Sequence, residues 1–244
     1  KEKNALLPAA ERMKWDEGMA QLPKLDPKNR FAYSYELAPP TSKTVLDNSN
    51  PVSCVDMAHI KCSSGTHGQL ATHAVKDPNK QMCGVMYNVL LDTEAGRSWD
   101  KFNDSTLDFH PGIDTADRRI ISDGDKGAAA THTPKYSRAK QFLCCKHRAT
   151  TVATTASKKG GGTGAKNAFL AALKAPTAAR LIAALDLATP LQRELLSKTP
   201  NDQQYMLPAK GMHGESTSSG VECLNMANMS VREKGFAESA MELG

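Results

Sequence analysis

The chain has 244 residues, of which 40% are hydrophobic, 23% charged and 5% aromatic, and its formal net charge is +5. This composition is ordinary for a soluble globular protein, and the length suffices for one α/β core with an insertion. The charge is compatible with a nucleic-acid partner without demanding one. No apolar run approaches the ~18–20 residues of a membrane span, so we expect a soluble, intracellular protein without a membrane partner.

Residues 1–50 are predicted to form a helical or irregular lead-in. The chain begins with Lys1 rather than Met, and we expect it to be a fragment or a processed piece. Residues 9–22 have the spacing of an amphipathic helix, with Met13, Trp15 and Met19 pointing inward. Four prolines that break regular structure follow, namely Pro23, Pro27, Pro39 and Pro40.

Three strands are predicted next, over residues 52–60, 69–75 and 82–91. Their joins contain turn-forming residues at 63–65 and 77–79. Consecutive strands with short joins favour an antiparallel meander.

A helix is predicted after the meander, with Thr93 as its cap and with Trp99 and Phe102 on one face. Pro111 and Gly112 end this helix. Residues 118–122 then read as a fourth strand, and a polar, helical segment leads to a fifth strand over residues 141–145.

The remaining residues are predicted to be mainly helical. Residues 151–164 read as a flexible connector, and residues 151–210 as a whole form a linker and helical insertion. Thr189 and Pro190 have the pattern of a helix start. Residues 211–244 are expected to contain a C-terminal core helix over 219–232. Two apolar stripes mark the insertion, Phe169, Leu170 and Leu173, and then Leu181, Ile182 and Leu185.

The predicted order β-β-β-α-β-α-β is that of an α/β fold with an RNase H-like mixed sheet. In such a sheet three antiparallel strands are followed by βα units. Residues 51–150 would form this core, and the all-helical insertion would precede the last core helix.

Two acids stand out within this order. Asp56 lies in the middle of an apolar strand, where a carboxylate carries a large desolvation cost unless it is compensated. Asp123 directly follows the fourth strand, which neighbours the first strand in an RNase H-like sheet, so the two acids would meet. Carboxylate oxygens are natural Mg²⁺ ligands. Alternatively, Asp56 faces solvent, and Asp123 to Gly127 form an ordinary turn in which Asp125 competes with Asp123.

A two-metal site requires a third acid, for which we select Glu222 on the predicted C-terminal helix. Glu215 and Glu233 would serve equally on the residues alone. Cys144 and His147 form a C-x-x-H pair that is half of a zinc site at best. We favour packing of this thiol beside a hydrogen-bonded histidine.

The cysteines follow no spacing typical of a secreted protein, and several lie inside apolar runs, which predicts reduced, mostly buried thiols. The six are Cys54, Cys62, Cys83, Cys144, Cys145 and Cys223. Basic residues cluster loosely along the later part of the core, where they would track a DNA backbone or simply form a solvated face. They are Lys140, Lys146, Arg148, Lys158 and Lys159.

Residues 51–148 resemble the catalytic core of Mutator-like element (MULE) transposases. The matching pieces occur in the family's order: Val55 to Lys61, Gly68 to Leu70, Lys76 to Gln81, Glu94 with Ser98, Trp99 and Phe102, Ile121 to Gly127, and Cys144-x-x-His147. The segment 217–225, followed by Arg232, is similar to the family's Ser/Asn-x-x-Glu-Ser-x-Asn segment. Cys223 stands where a serine is usual, and Cys62 where a glycine is usual.

The resemblance implies a D-D-E triad of Asp56, Asp123 and Glu222 that binds two Mg²⁺ or Mn²⁺ ions. It also makes the C-x-x-H of Cys144 and His147 a family hallmark. We therefore expect a nuclear DNA transposase that hydrolyses phosphodiesters at transposon ends and transfers strands. Its partners would be double-stranded DNA and further copies of itself.

Three other functions stay open at this point. The first is a domesticated, catalytically inactive DNA-binding regulator derived from a transposase. The second is a helical interaction module centred on residues 165–200. The third is another nuclease of the same fold.

Overall fold

The structure is a computed structural model. It describes residues 19–21, 34–61, 67–90, 96–123, 128, 135–158, 167, 170–172, 175, 177–190, 193 and 194. Glu222 and its alternatives Glu215 and Glu233 lie outside these residues, and so does Asp125, the alternative to Asp123. The helix predicted over 219–232 is also outside them, as are Thr93, Cys62 and Cys223.

Seven strands and four α-helices lie wholly within the described residues. The strands are β1 (Met19–Gln21), β2 (Ser34–Ala38), β3 (Val52–Lys61), β4 (His67–Lys76), β5 (Met82–Leu90), β6 (Arg119–Ser122) and β7 (Lys140–Leu143). The helices are α1 (Ser42–Asn48), α2 (Gly96–Phe109), α3 (Cys145–Lys158) and α4 (Ala178–Asp186), with a 3₁₀ helix at Pro111–Ile113.

The strands form one mixed sheet in the order β1-β2-β5-β4-β3-β6-β7. Neighbours from β1 to β3 in this order are antiparallel, whereas β6 is parallel to β3 and β7 is parallel to β6. The predicted α/β class with a mixed sheet is therefore confirmed. The strands at 52–61, 67–76 and 82–90 form the predicted antiparallel meander.

Each face of the sheet carries its own apolar cluster, because alternate strand residues point to opposite faces. On the first face, here called the α2 face, Val55 and Ile120 pack with Trp99 and Phe102 of helix α2. The Trp99 and Phe102 rings meet edge to face, with centroids 6.1 Å apart.

The opposite face, here called the α3 face, is covered by helix α3. Cys54, Ile121 and Phe142 pack there with Ala149 of that helix. Leu170, Ala184 and Leu185 pack against the same cluster, so α4 also contributes to this layer.

The N-terminal region differs from the prediction. The helix expected over residues 9–22 is wrong at its end, because Met19–Gln21 is strand β1, and residues 9–18 lie outside the described part of the chain. Strand β2 was also not predicted. It pairs with β5 and with β1, so its hydrogen-bond partners come from distant parts of the chain rather than from its own sequence pattern.

The flexible connector predicted over residues 151–164 is wrong for residues 151–158, which belong to helix α3. The predicted fifth strand is also too long, since it ends at Leu143 and Cys145 begins the helix. The threonine hydroxyls of this segment are satisfied within the helix, since each donates to the carbonyl four residues earlier, at 2.9–3.1 Å. These hydroxyls belong to Thr150, Thr151, Thr154 and Thr155.

The helical insertion follows the prediction in part. The Thr177 hydroxyl caps α4 by accepting from the Arg180 amide. Arg193 N donates to Thr189 O at 3.0 Å, as expected of the predicted helix start. Ile182 of the second predicted stripe is 59% exposed, because the side of α4 that packs is centred on Ala184 and Leu185.

Among the residues that the structure describes, no helix is both long enough and apolar enough to cross a bilayer.

Gly84 of β5 leaves room for a tyrosine ring. A Cβ at this position would lie 2.0 Å from Tyr87 Oη and 2.4 Å from Tyr87 Cζ. Tyr87 is only 8% exposed, so its ring cannot simply swing into solvent. The close approach of this ring is what requires glycine at position 84.

We predict that Gly84→Ala lowers the free energy of unfolding by about 1–3 kcal/mol, because the added methyl overpacks the sheet. Urea denaturation measures the loss. In a Tyr87→Val background the same substitution should cost little. Gly112→Ala is the matched control, since a Cβ there meets nothing within 4 Å. An unchanged unfolding midpoint for Gly84→Ala would contradict the packing described.

Asp114 fixes the entry into strand β7. Its Oδ1 accepts from the amides of Arg138 and Ala139 at 2.9 and 2.7 Å, and its Oδ2 accepts from Ser137 N and Oγ at 3.0 and 2.8 Å. Burial by itself raises the pKa of Asp114, but these hydrogen bonds outweigh it and hold the pKa below its usual value.

We predict that Asp114→Asn lowers the free energy of unfolding by about 1–3 kcal/mol near neutral pH, since an amide NH₂ would face donors. A lowered folded pKa stabilises the protein above the carboxyl's unfolded pKa, and this stabilisation is lost as pH falls through the folded value. The gap between wild type and variant should therefore narrow in acid. Chemical denaturation across pH tests this, with the exposed Asp108→Asn as control. If the difference in unfolding free energy between wild type and Asp114→Asn stays constant into strong acid, the carboxylate charge has no role.

Candidate functional site

The pairing of β3 with β6 determines where the two predicted acids lie. The last register pair of these parallel strands is Cys54 opposite Ile121. Extrapolated by two residues (54 + 2 and 121 + 2), one position beyond the end of β6, the register would bring Asp56 level with Asp123 on the same face. Neighbouring strands are about 4.8 Å apart. Residues 67 positions apart in sequence (123 − 56) would then be near neighbours.

Asp56 lies on the α3 face, at the margin of the apolar cluster that contains Cys54. Asp56 is half-buried between Val55 and Met57, which are buried on the opposite face. Asp123 is also half-buried and directly follows the last residue of β6. Each carboxylate takes part in at least one hydrogen bond or electrostatic interaction. Such interactions offset part of the cost of removing a carboxylate from water.

Other polar residues share this level of the sheet. Thr72 of β4 lies opposite Asp56 and is fully buried, and Tyr87 of β5 lies opposite Thr72. On the other side of Asp123, Cys144 N donates to Ser122 O at 2.7 Å just after β7 ends. The site is therefore a polar row across neighbouring strands, next to an apolar row formed by Cys54, Ala74, Ile121 and Phe142.

Thr72 and Tyr87 were not predicted as part of this site. Both residues lie in strands that were predicted correctly. Because side chains alternate between the two faces of a strand, the sequence assigns each side chain to one face of the sheet. Which residues of β4 and β5 stand level with Asp56 depends on strand register, and a bulge at His73 and Ala74 shifts that register. The sequence carries no local signal for this alignment.

The third acid stays a prediction. Glu222 lies outside the described residues, together with its alternatives Glu215 and Glu233. Within the described residues, no group of three or more His, Cys, Asp or Glu side chains is placed to hold a metal ion. Of the predicted triad, the described residues include Asp56 and Asp123.

Cys144 and His147 lie at the junction of β7 and α3. Cys144 is fully buried and packs in the apolar cluster of the α3 face, and His147 is half-buried in the first turn of α3. The position of the thiol agrees with the packing role that we favoured. Two lysines of the predicted basic cluster are exposed: Lys146 lies in the first turn of α3, and Lys140 lies at the other end of β7.

No protein-family model matches the chain, and a search of curated proteins finds no match.

The described thiols differ in their access to solvent. Cys54, Cys144 and Cys145 are buried, whereas Cys83 is half-buried, and none of these four described thiols forms a disulfide bond. Burial, and to a smaller degree the charge of Asp77, raise the pKa of Cys83. Since the thiolate is the reactive form, Cys83 is accessible but only weakly activated at neutral pH.

We predict that iodoacetamide modifies Cys83 before Cys54, Cys144 and Cys145, at a rate that rises with pH through the alkaline range. Mass spectrometry of the digested protein resolves each site. In urea the four rates should converge, which controls for intrinsic reactivity. Rapid labelling of Cys144 in the native protein would contradict its packing in the sheet cluster.

Proposed function

We propose that the chain is the catalytic domain of a DNA transposase with an RNase H-like fold. In this proposal Asp56, Asp123 and Glu222 bind two Mg²⁺ or Mn²⁺ ions. The reaction is metal-dependent phosphodiester hydrolysis at transposon ends, followed by strand transfer. Double-stranded DNA, further copies of the chain and a nuclear location belong to the same proposal.

The strand order supports the fold assignment. Within the sheet, β5, β4 and β3 form an antiparallel meander, and β6 and β7 add to it in parallel beyond β3. Three antiparallel strands followed by parallel βα units are the arrangement expected of an RNase H-like core. Helices α2 and α3 cover opposite faces, and β1 and β2 extend the meander edge.

The register of β3 and β6 is the observation on which the proposal mainly depends. Extrapolated two residues beyond the pair of Cys54 and Ile121, it supports a position of Asp56 level with Asp123 on one face. Two carboxylates at the same level of neighbouring strands would repel each other unless a proton or a cation lay between them. Their hard oxygen donors fit Mg²⁺ or Mn²⁺. The pair thus has the donor chemistry that the proposed ions require.

The chain's own residues hold and orient the reacting groups. Asp56, Asp123 and Glu222 would hold the two ions. When bound, the ions would supply activation of a water and stabilisation of the leaving oxygen. Asp56 lies within β3 and Asp123 directly follows β6, so little reorganisation of these two residues would be needed at the reaction. Lys140 and Lys146 are exposed and suited to sequence-independent phosphate contacts.

We predict that Mn²⁺ binds the wild-type chain and that Asp56→Asn weakens this binding at least about tenfold, because one carboxylate ligand is lost. Titration calorimetry measures the affinity. The same substitution should abolish Mn²⁺-dependent nicking of supercoiled duplex DNA. Asp108→Asn is the matched control, since this exposed acid lies on α2 at the opposite face.

The outcomes separate the proposal from its alternatives. Metal binding and nicking that both require Asp56 and Asp123 support a nuclease, and joined products then distinguish strand transfer from simple cleavage. DNA binding without metal affinity favours the inactive regulator. Metal affinity unchanged in both Asp56→Asn and Asp123→Asn would refute the carboxylate site itself.

A further inference from the structure

A cavity of about 530 Å³ lies on the α2 face, away from the carboxylate row on the α3 face. It is bounded by the segment from the end of β2 through α1 on one side and by the end of α2 with the 3₁₀ helix on the other. Ala38, Leu46 and Phe109 in its wall also belong to the apolar cluster of the α2 face. The volume is in the range of small-molecule sites.

His110 provides a hydrogen-bonding group in the cavity wall. It is 4% exposed, and its Nε2 donates to the Val85 carbonyl of β5 at 2.9 Å. Burial lowers the pKa of His110. This effect is larger than the opposite effects of the Val85 hydrogen bond and the Asp47 charge, so the ring is neutral at pH 7.

The neutral ring carries its proton on Nε2, which leaves Nδ1 as an acceptor. The two ring nitrogens point in different directions, and Nδ1 therefore points away from Val85. Within the described part of the chain, the ring makes no second hydrogen bond. Since His110 lines the cavity, Nδ1 is the acceptor that its ring would offer to an occupant carrying an N–H or O–H donor.

The rest of the lining determines what kind of molecule fits. Pro39, Pro111 and Phe109 provide flat apolar surfaces that suit a ring. Lys43 and Asp47 are exposed and lie at the cavity with opposite charges that offset each other. This lining favours a neutral ligand over an anion or a cation.

We propose that this cavity binds a neutral, ring-containing small molecule whose single N–H or O–H donates to His110 Nδ1. The proposal is independent of the nuclease proposal, because its residues lie on the other face of the sheet and require neither metal nor DNA.

Indole is a suitable probe, since it is flat and apolar and carries one N–H donor. We expect indole to bind the full chain with a Kd on the order of 1 mM or tighter. N-methylindole has the same ring without the donor and should bind about tenfold more weakly, because the buried acceptor is left unsatisfied. Titration followed by amide NMR shifts measures both, with shifts expected at residues 38–47 and 109–112.

Gly112→Leu blocks the cavity from its rim. Gly112 is exposed, a Cβ there meets nothing within 4 Å, and its φ lies outside the left-handed range, so a side chain is tolerated. We expect this variant to lose indole binding while keeping the wild-type unfolding midpoint. Gly112→Ser, which adds only a small side chain, is the matched control and should retain binding.

Three results would overturn the proposal. They are equal affinity for indole and N-methylindole, indole binding that survives Gly112→Leu, and absence of indole binding to the wild type. The first and third use the wild-type chain alone and do not depend on variant folding. Tighter binding of N-acetyltryptophanamide than of indole would identify a protein side chain as the occupant and overturn assignment to a free small molecule.

Discussion

The parallel pairing of β3 with β6 is the constraint on which the candidate site depends. Because side chains alternate with a period of two, a slip of one residue in this register would turn one aspartate toward the opposite face. The pairing of Cys54 with Ile121 excludes that slip and lets both side chains join one apolar cluster. The same alignment, extrapolated two residues further on, would bring Asp56 level with Asp123. Packing of the cluster and placement of the acids are therefore consequences of one register.

The two faces of the sheet are built differently. The α2 face is filled by large side chains, with Trp99 and Phe102 fully buried against the strands. On the α3 face, the apolar row at Cys54 is followed directly by the polar row at Asp56, the next residue of β3 on the same face. A half-buried carboxylate in such a row lowers stability unless it has partners, and this cost is typical of functional positions. Asp114 and the threonine hydroxyls of α3 secure the segment around β7, which borders this row.

The cavity beside His110 uses the other face and a different chemistry. Its polar group is a neutral ring held by the Val85 carbonyl, whereas the row at Asp56 contains carboxyl groups together with Thr72 and Tyr87. In the two proposals, one sheet would therefore separate a site for cations from a site for a neutral ligand. Helices on both faces allow this, because each cluster excludes water independently.

By itself, the sequence determined the elements with strong patterns. These are the three strands of the meander, helix α2 with Trp99 and Phe102, and strand β6 before Asp123. It also singled out Asp56, since an acid inside an apolar strand is visible without a structure. Only the tertiary structure decided that β2 joins β5, that Thr72 stands beside Asp56, and that residues 151–158 are helical. The physical reason is that strand partners, register and the packing of a threonine-rich helix depend on contacts between residues far apart in the chain, which local periodicity does not encode.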